Sequence, residues 1–527
     1  MKKFLTLALI AACASLPASA QTRRTTPTST TATQGKSAPA AVAQPQPTPA
    51  PAPSSSPAAP LESCGCEGEP LPEVVAVVNG VRITKQDIET PIRNQIDEMR
   101  RNVVEARQRE LELQINSRLL EAEAKKRAKP TTKLLEEEIV AKAVEPTEAE
   151  AQAFYNANQA KINRPYTDVK ADIISHLRDR RQREEAKKFA DRLRVAANVK
   201  ILVPNAAPAT SDAERARVLA VVNGEQLTSG QIEDSLKPLI YSVQERTYQL
   251  RKNVVELRIR DALLEQEAQK RKITKEALLS AEIDAKLKPV TEADARAFYD
   301  QNKERINGDF PQLKDQIIQY LQEQQGQDLL TAFVDQLRKS ATLEVNLRAP
   351  EAPVLQISTD DQPSKGNPTA PVTLIEFTDF QCPSCALAQP VLDRLTAEYG
   401  NRLRLVVRDF PLEQHEFARK AAEAAEAARA QGKYWEYAAL LFTNQKALGV
   451  DKLKEYATRV GLDRAKFDTM LDSGQFADKV QRDYQDGMLL GVGSTPTFFV
   501  NGRIANDRSY EGLKAAIERA LAETGKK

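Results

Sequence analysis

A shift of 144 residues lays one long stretch of this 527-residue chain over another without a gap. Val77-Val78-Asn79-Gly80 recurs as Val221-Val222-Asn223-Gly224, Thr84 as Thr228, and Ile88-Glu89 as Ile232-Glu233. Leu119-Leu120-Glu121 recurs as Leu263-Leu264-Glu265 and Arg127 as Arg271. Thr147-Glu148-Ala149 and Phe154-Tyr155 recur as Thr291-Glu292-Ala293 and Phe298-Tyr299. Two copies of one structural unit, meeting near residues 204–211, are the simplest account. At roughly 150 residues per domain the full length predicts three or four units.

Each copy opens on a short apolar strand and Asn-Gly, the dipeptide best suited to a two-residue hairpin because both positions accept positive φ. Thr84 with Asp87, and Thr228 with Gln231, read as capping-box helix starts, the second pair nearer the usual pattern. Leu111, Ile115 and Leu119 recur at i+4 and place an apolar stripe on a long helix. Arg178 to Lys188 reads as a solvated helical face. The 75 basic and 73 acidic residues nearly cancel, which argues against nucleic acid as a partner, since phosphate binding needs concentrated positive charge. Only two histidines exist, His176 and His415, so sites with several His ligands are excluded. Trp435 is the single Trp and is expected in a helical core.

The N-terminus reads as an export signal over residues 1–20. Lys2 and Lys3 precede an apolar run from Phe4 to Leu16, Pro17 breaks it, and Ala18-Ser19-Ala20 is a small-residue cleavage site. A competing reading takes Ile10-Ala11-Ala12-Cys13 as a lipobox, with a lipid anchor on Cys13. Either way the protein is expected in the periplasm or elsewhere outside the cytoplasm. Residues 21–72 are expected to be a Pro/Thr/Ala-rich disordered tether that also carries Cys64-Gly65-Cys66, since so few large apolar residues cannot offset chain entropy. No other segment is long and apolar enough to cross a bilayer.

The last third carries the chemistry. Pro371 to Phe377 reads as a buried strand, followed by Cys382-Pro383-Ser384-Cys385 and an immediate helical pattern. A cysteine at a helix N-terminus is held as thiolate by the first-turn amides and the helix dipole. The thiolate is the attacking species in disulfide exchange, and Cys385, one turn on, is placed to resolve the mixed disulfide. Pro383 suits the first helical position. About 110 residues later Ser494-Thr495-Pro496-Thr497 leads into an apolar strand and the Asn501-Gly502 turn. A zinc site is the alternative for the cysteine pair, but it needs four ligands and only Cys64 and Cys66 remain to supply them. No metal or cofactor is expected.

The CPSC segment and the Thr-Pro loop together resemble the thioredoxin superfamily, its DsbA-like branch above all, over residues 356–527. That resemblance implies an α/β thioredoxin fold with a helical insertion between His415 and Leu490. It implies that Pro496 is cis and faces the dithiol, and that Thr495 offers backbone groups to an extended client while Cys382 attacks. It also implies that Glu376, six residues before Cys382, helps move protons; the plain alternative is an acid at a sheet edge. The repeats, with Asn-Gly, a capped helix, a long amphipathic helix and Phe-Tyr-x-x-Asn, resemble the N-terminal chaperone module of the SurA/PrsA family. They span residues 73–204 and 217–347, both mainly α-helical. The segments around Arg164-Pro165-Tyr166 and Asp309-Phe310-Pro311 leave no room for the family's parvulin domain.

The expectation is a multidomain, exported thiol-disulfide oxidoreductase, oxidase rather than isomerase or reductase, whose helical modules hold unfolded exported polypeptides with free thiols. It would need a membrane or soluble redox partner, and its helical modules allow self-association. The alternative is a holding chaperone in which redox chemistry is secondary. His415 follows Asp409-Phe410-Pro411-Leu412, which puts it either near the face of the active site or, as a lone loop histidine, simply in solvent, and it has no part in this scheme. Cys64 and Cys66 are expected to form a small disulfide, either passive or a relay, unless they bind a soft metal ion.

Overall fold

The computed structural model describes residues 64–162, 164–204, 207–303, 306 and 308–525. The export signal, Cys13 and the tether up to residue 63 lie outside the described residues.

In the first copy β1 (Val74–Val78) and β2 (Val81–Thr84) form a hairpin, followed by a short helix, Lys85–Glu89, and the long α1 (Arg93–Lys126). Then come α2 (Glu148–Asn158), α3 (Tyr166–Ala196) and β3 (Val199–Ile201). The second copy repeats the order with β4 (Val218–Val222), β5 (Glu225–Thr228), α4 (Ser229–Arg271), α5 (Glu292–Asn302), α6 (Phe310–Lys339) and β6 (Leu343–Val345). Both turns put Asn and Gly at positive φ, 49° and 87° at Asn79-Gly80 and 52° and 87° at Asn223-Gly224. The reciprocal capping box is made at Thr84 with Asp87, not at Thr228, where the Gln231 side chain only accepts from the Thr228 N–H at 3.0 Å. Phe-Tyr-x-x-Asn is a loop clamp. Tyr155 and Tyr299 donate their hydroxyls to the carbonyls of Arg164 and Gly308, each at 2.9 Å, and Asn158 and Asn302 cap the Phe154 and Phe298 carbonyls.

The copies do not each close on themselves. β1 pairs antiparallel with β6, Ala76 opposite Val345, and β4 pairs antiparallel with β3, Val222 opposite Val199. The hairpin of each copy is thus completed by the last strand of the other. One compact body holds residues 65–103 with 237–354, and residues 104–236 belong to the second. The reason lies in helix length. The 34 residues of α1 extend about 51 Å and the 43 of α4 about 65 Å, too far for both ends to serve one small core. In the first body Val75, Val78, Ile83 and Ile88 pack with Val255, Ile259 and Leu263 of α4. Ion pairs follow the same exchange. Arg107 binds Glu233 at 2.7 Å, and its 144-shifted counterpart Arg251 binds Glu89 at 2.6 Å. Contacts within a copy also repeat, Arg194 with Glu112 and Arg338 with Glu256.

The C-terminal domain contains β7 (Ser364–Gly366), β8 (Val372–Thr378), α7 (Pro383–Tyr399) and β9 (Leu403–Asp409). Five helices follow: α8 (Ala418–Arg429), α9 (Tyr434–Thr443), α10 (Val450–Arg459), α11 (Arg464–Asp472) and α12 (Ala477–Leu489). The chain then returns to the sheet as β10 (Thr497–Val500) and β11 (Arg503–Ala505) and ends in α13 (Tyr510–Thr524). The sheet order is β11-β10-β8-β9-β7, with β8 and β9 parallel and the other pairs antiparallel. β8 is central and buried on both faces. Val372 and Leu374 pack with Leu392 of α7 and Ile517 of α13, while Ile375 and Phe377 pack with Phe410 and Phe499. A buried ionic cluster pins the helical insert to the sheet: Lys479 lies 2.8 Å from Asp483 and 2.9 Å from Glu426, and Arg408 lies 2.7 Å from Asp483. Burial holds the neighbouring Asp409 carboxyl well above the usual carboxylate range.

The exchanged ion pairs differ in depth. The Arg107 and Glu233 side chains are 4% and 9% exposed, whereas Glu89 is 26% exposed. Removing one partner of a buried pair strands a charge, at a cost of about 3–5 kcal/mol. Glu233→Leu is expected to lower the unfolding midpoint, followed by circular dichroism at 222 nm, clearly more than Glu89→Leu; equal losses would contradict the role given to burial.

Candidate active site

Where β8 ends, the segment Thr378 to Gln381 turns the chain into α7, and Cys382 becomes the N-cap of that helix, with φ −76° and ψ 119° and Pro383 following in the first turn. This is the geometry in which first-turn amides are left without intrahelical partners. Cys382 is 6% exposed and Cys385 is fully buried; both are free thiols. From the other side comes the loop before β10, where the Thr495–Pro496 peptide bond is cis. The Cys382 Sγ lies 3.5 Å from the Thr495 carbonyl oxygen. The buried Thr495 hydroxyl has no hydrogen-bond partner among the described residues, which leaves it available to an anionic sulfur.

These groups divide the two thiols. A hydrogen bond from the Cys385 thiol, aided by the Thr495 hydroxyl and the Cys385 and Ser384 amides, overcomes burial and brings Cys382 down to about 5. Burial, the hydrogen bond donated to Cys382 and the charge of Glu376 push the Cys385 thiol far up. One sulfur is therefore an anion at neutral pH while its neighbour keeps its proton, the division an attacking and a resolving thiol require.

Glu376 sits in the middle of β8, not at a sheet edge, with residues of β9 and β10 opposite it. Alternation along the strand puts it on the face of Val372 and Leu374, toward α7. It is 1% exposed, and burial pushes its carboxyl up to about 7, with the Cys382 charge adding to the rise. Gln389, one turn after Cys385 on α7, donates its amide to Glu376 Oε1 at 3.3 Å and to the Cys385 carbonyl at 3.2 Å. The sequence brought Cys382, Cys385, Glu376, Thr495 and Pro496 forward, and the structure gathers all five around the start of α7.

Other residues of the site carried weaker sequence signals. His415 is not a freely solvated loop residue: its Nδ1 lies 2.7 Å from Asp379 Oδ2, and the Asp379 side chain is fully buried. Asp379 also accepts the Gln381 N–H at 2.7 Å and the Leu412 N–H at 2.9 Å, and its carbonyl accepts the Cys382 N–H at 3.1 Å. The turn that presents Cys382 is thus built around this aspartate. An Asp three positions before the first cysteine was a usable hint, because Asp side chains favour such local turns. Gln445 of the helical insert donates to the Phe380 carbonyl at 2.9 Å and the Cys382 carbonyl at 2.8 Å, and nothing in the sequence marked it. Trp435, expected in the insert's core, is half-buried and packs against both that core and the cluster beneath the sheet.

Cys64 and Cys66 were assigned to the loose tether. The structure instead buries both side chains, each disulfide-bonded, and with Cys382 and Cys385 free and one further cysteine in the chain they can only be bonded to each other. Arg107 donates to the Cys64 carbonyl at 2.8 Å, so this stretch is held by the same guanidinium that binds Glu233. Among the described residues no group of three or more His, Cys, Asp or Glu side chains could hold a metal ion.

Residues 358–519 match the family model described as Thioredoxin. Over 171 residues the chain is 39% identical to Na(+)/H(+) antiporter NhaA 3 of Salinispora tropica, an alignment covering 32% of this chain and 26% of that protein. Over 139 residues it is 42% identical to Na(+)/H(+) antiporter NhaA of Herminiimonas arsenicoxydans, covering 26% and 22%. The chain thus spans about a quarter of the length of the curated relatives it matches. No helix among the described residues is long and apolar enough to cross a membrane. Similar solved structures include oxidised BdbD from Bacillus subtilis, at 25% identity over 33% of this chain and 99% of that one, with a TM-score of 0.30. A thioredoxin-like oxidoreductase from Silicibacter pomeroyi is 29% identical over 31% of this chain and 94% of that one, with a TM-score of 0.29. Sheet order and family match agree: a multidomain, mostly helical chain carries a thioredoxin-like α/β domain at residues 358–519.

Proposed function

We propose that the protein is an extracytoplasmic thiol-disulfide oxidoreductase that acts on unfolded or folding exported polypeptides. The observation that carries this reading is the division of the two thiols, with Cys382 down at about 5 beside the Thr495–Pro496 loop and Cys385 pushed up behind it. In the oxidising direction a client thiolate attacks the Cys382 sulfur of the Cys382–Cys385 disulfide, and Cys385 leaves as a thiol after taking a proton. A second client thiolate then attacks the client sulfur of the mixed disulfide, and Cys382 leaves as a thiolate. A good leaving group speeds this step, and stabilising the reduced pair makes the oxidised pair the stronger oxidant. Thr495 offers a backbone carbonyl 3.5 Å from the reacting sulfur, so an extended client strand can pair there. A redox partner of the same thiol chemistry restores the disulfide.

The repeats are assigned to client holding. A groove of about 630 Å³ in the body that contains α6 is lined by Leu279, Ile283, Tyr320 and Leu330 together with polar side chains, a surface that suits unfolded segments. Holding and chemistry in one chain raise the effective concentration of client sulfur at the dithiol. A reading in which holding is the main activity draws on the same groove. A Cys382→Ser, Cys385→Ser variant separates them: oxidation of a reduced, unfolded client is expected to fall to background while suppression of its aggregation persists. Loss of both together would sink the division of labour.

Two measurements test the site. In the reduced protein, thiolate absorbance at 240 nm is expected to titrate with a midpoint near pH 5, and Thr495→Val should raise it by roughly one unit by removing a donor to the anion. A midpoint at the ordinary thiol value would end the catalytic assignment. Glu376 gives an opposite dependence. Its folded value of about 7 lies above the ordinary 4.5, so ionising it destabilises the fold as pH rises from 4.5 through 7. Glu376→Gln is therefore expected to stabilise the protein at pH 8 relative to pH 4, by about 3 kcal/mol at full effect, read from unfolding at the two pH values. The same gain at both would mean that the carboxyl is not desolvated.

A further inference from the structure

Glu376 faces two surroundings. One is the cysteine pair: the Cys382 charge raises its carboxyl, and its own charge raises the Cys385 thiol. The other is a cavity of about 450 Å³ bounded by β7, β8, β9, α7 and α9. Glu376 and Gln389 line it together with Pro390, Leu405, Trp435 and Phe442. Lys365 and Asp393, paired at 3.4 Å and half exposed or more, also line it and mark its solvent side. Ala438 and Ala439 of α9 line it too, and their short side chains leave the space open. Neither cysteine belongs to its lining, nor do Thr495 and Pro496. The volume admits several waters, and a buried carboxyl, the Gln389 amide and the buried Tyr434 hydroxyl, which has no partner among the described residues, offer them hydrogen bonds.

We propose that this cavity is a hydrated back door through which protons pass between Glu376 and solvent, between α7 and α9 and away from the face where a client covers Cys382. The inference rests on the exchange chemistry proposed above. When Cys385 resolves a mixed disulfide, its thiol proton goes to the Glu376 carboxylate and its sulfur forms a bond to Cys382. The Cys382–client bond breaks, and the client sulfur leaves as a thiolate. The proton then passes from Glu376 to a cavity water; in the oxidising direction it travels the reverse way to Cys385. Cys382 is only 6% exposed before any client arrives, so a strand paired beside Thr495 closes that side. A second exit lets the proton move while the client is still bound. Gln389 is the positioning residue, since its one amide group ties Glu376 to the backbone of the resolving cysteine. The groups that interact with Glu376 are Thr378 on its own strand, Cys382, Cys385 and Gln389 at and along α7, and Tyr434 on α9, while the charged Asp393 of α7 and Lys365 of β7 share its cavity.

Ala439→Phe tests this by placing a ring at the exposed α9 rim of the cavity, at a residue apart from the acid, Gln389 and the cysteines. Rapid-mixing measurements on the reduced full chain with a disulfide-bonded peptide would follow formation of the mixed disulfide by Cys382 and its resolution by Cys385 separately. Formation is expected to stay within about twofold of the parent and resolution to slow roughly tenfold, part of what a positioned acid or base contributes. The pH midpoint of resolution should rise, because expelling water deepens the desolvation of Glu376. Ala439→Val, a smaller intrusion, should give a smaller change in the same direction, and it carries the test if the Phe variant does not fold. Gln389→Leu should shift the same midpoint. Resolution at the parental rate and midpoint in the alanine variants, with Glu376→Gln slow, would overturn the back door and leave the exchange chemistry standing. Parental resolution in Glu376→Gln would remove the acid's role and the route with it.

Discussion

The hydrogen bond between the two thiols is what the active site depends on. It places a proton on Cys385 and withholds one from Cys382, and the surroundings deepen that asymmetry. The helix start and the Thr495 hydroxyl face the outer sulfur; burial and the Glu376 charge face the inner one. Two cysteines three positions apart would otherwise titrate as ordinary thiols. The domain supplies two different dielectric settings within one helical turn, and it can do so because the first turn of α7 lies between the Thr-Pro loop and the central strand of the sheet.

Much of this was legible in the chain. The strand, the CPSC turn and the immediate helix fixed where Cys382 would sit, because an N-cap position follows from local pattern. The cis state of Pro496 came from the family likeness alone; no spacing could have shown it. What escaped were contacts made by the fold. Asp379 binds His415 across 36 residues and Gln445 reaches Cys382 across 63, and side chains of such common type carry no mark of a distant partner. Glu376 stood in an apolar strand, but only its place at the centre of the sheet shows how deeply it is buried.

The duplication gave a different lesson. The 144-residue shift located the hairpins and long helices, since those are local, and marked the Phe-Tyr-x-x-Asn motif without showing that it clamps a loop. It did not say which hairpin would meet which closing strand, because the two copies carry nearly equivalent surfaces and the pattern fits either pairing. Helix length decides it. Arg107 with Glu233 and Arg251 with Glu89 are the same contact made twice between copies, and in sequence each arginine looks equally able to serve its own copy.

That exchange bears on synthesis. Ala76 pairs with Val345, so the first hairpin emerges long before the strand that completes its sheet exists. At ribosomal speeds the delay is roughly 10–50 s, during which an apolar hairpin and half of an amphipathic helix have no native mate. A chain proposed to hold unfinished proteins must itself spend its early life as one.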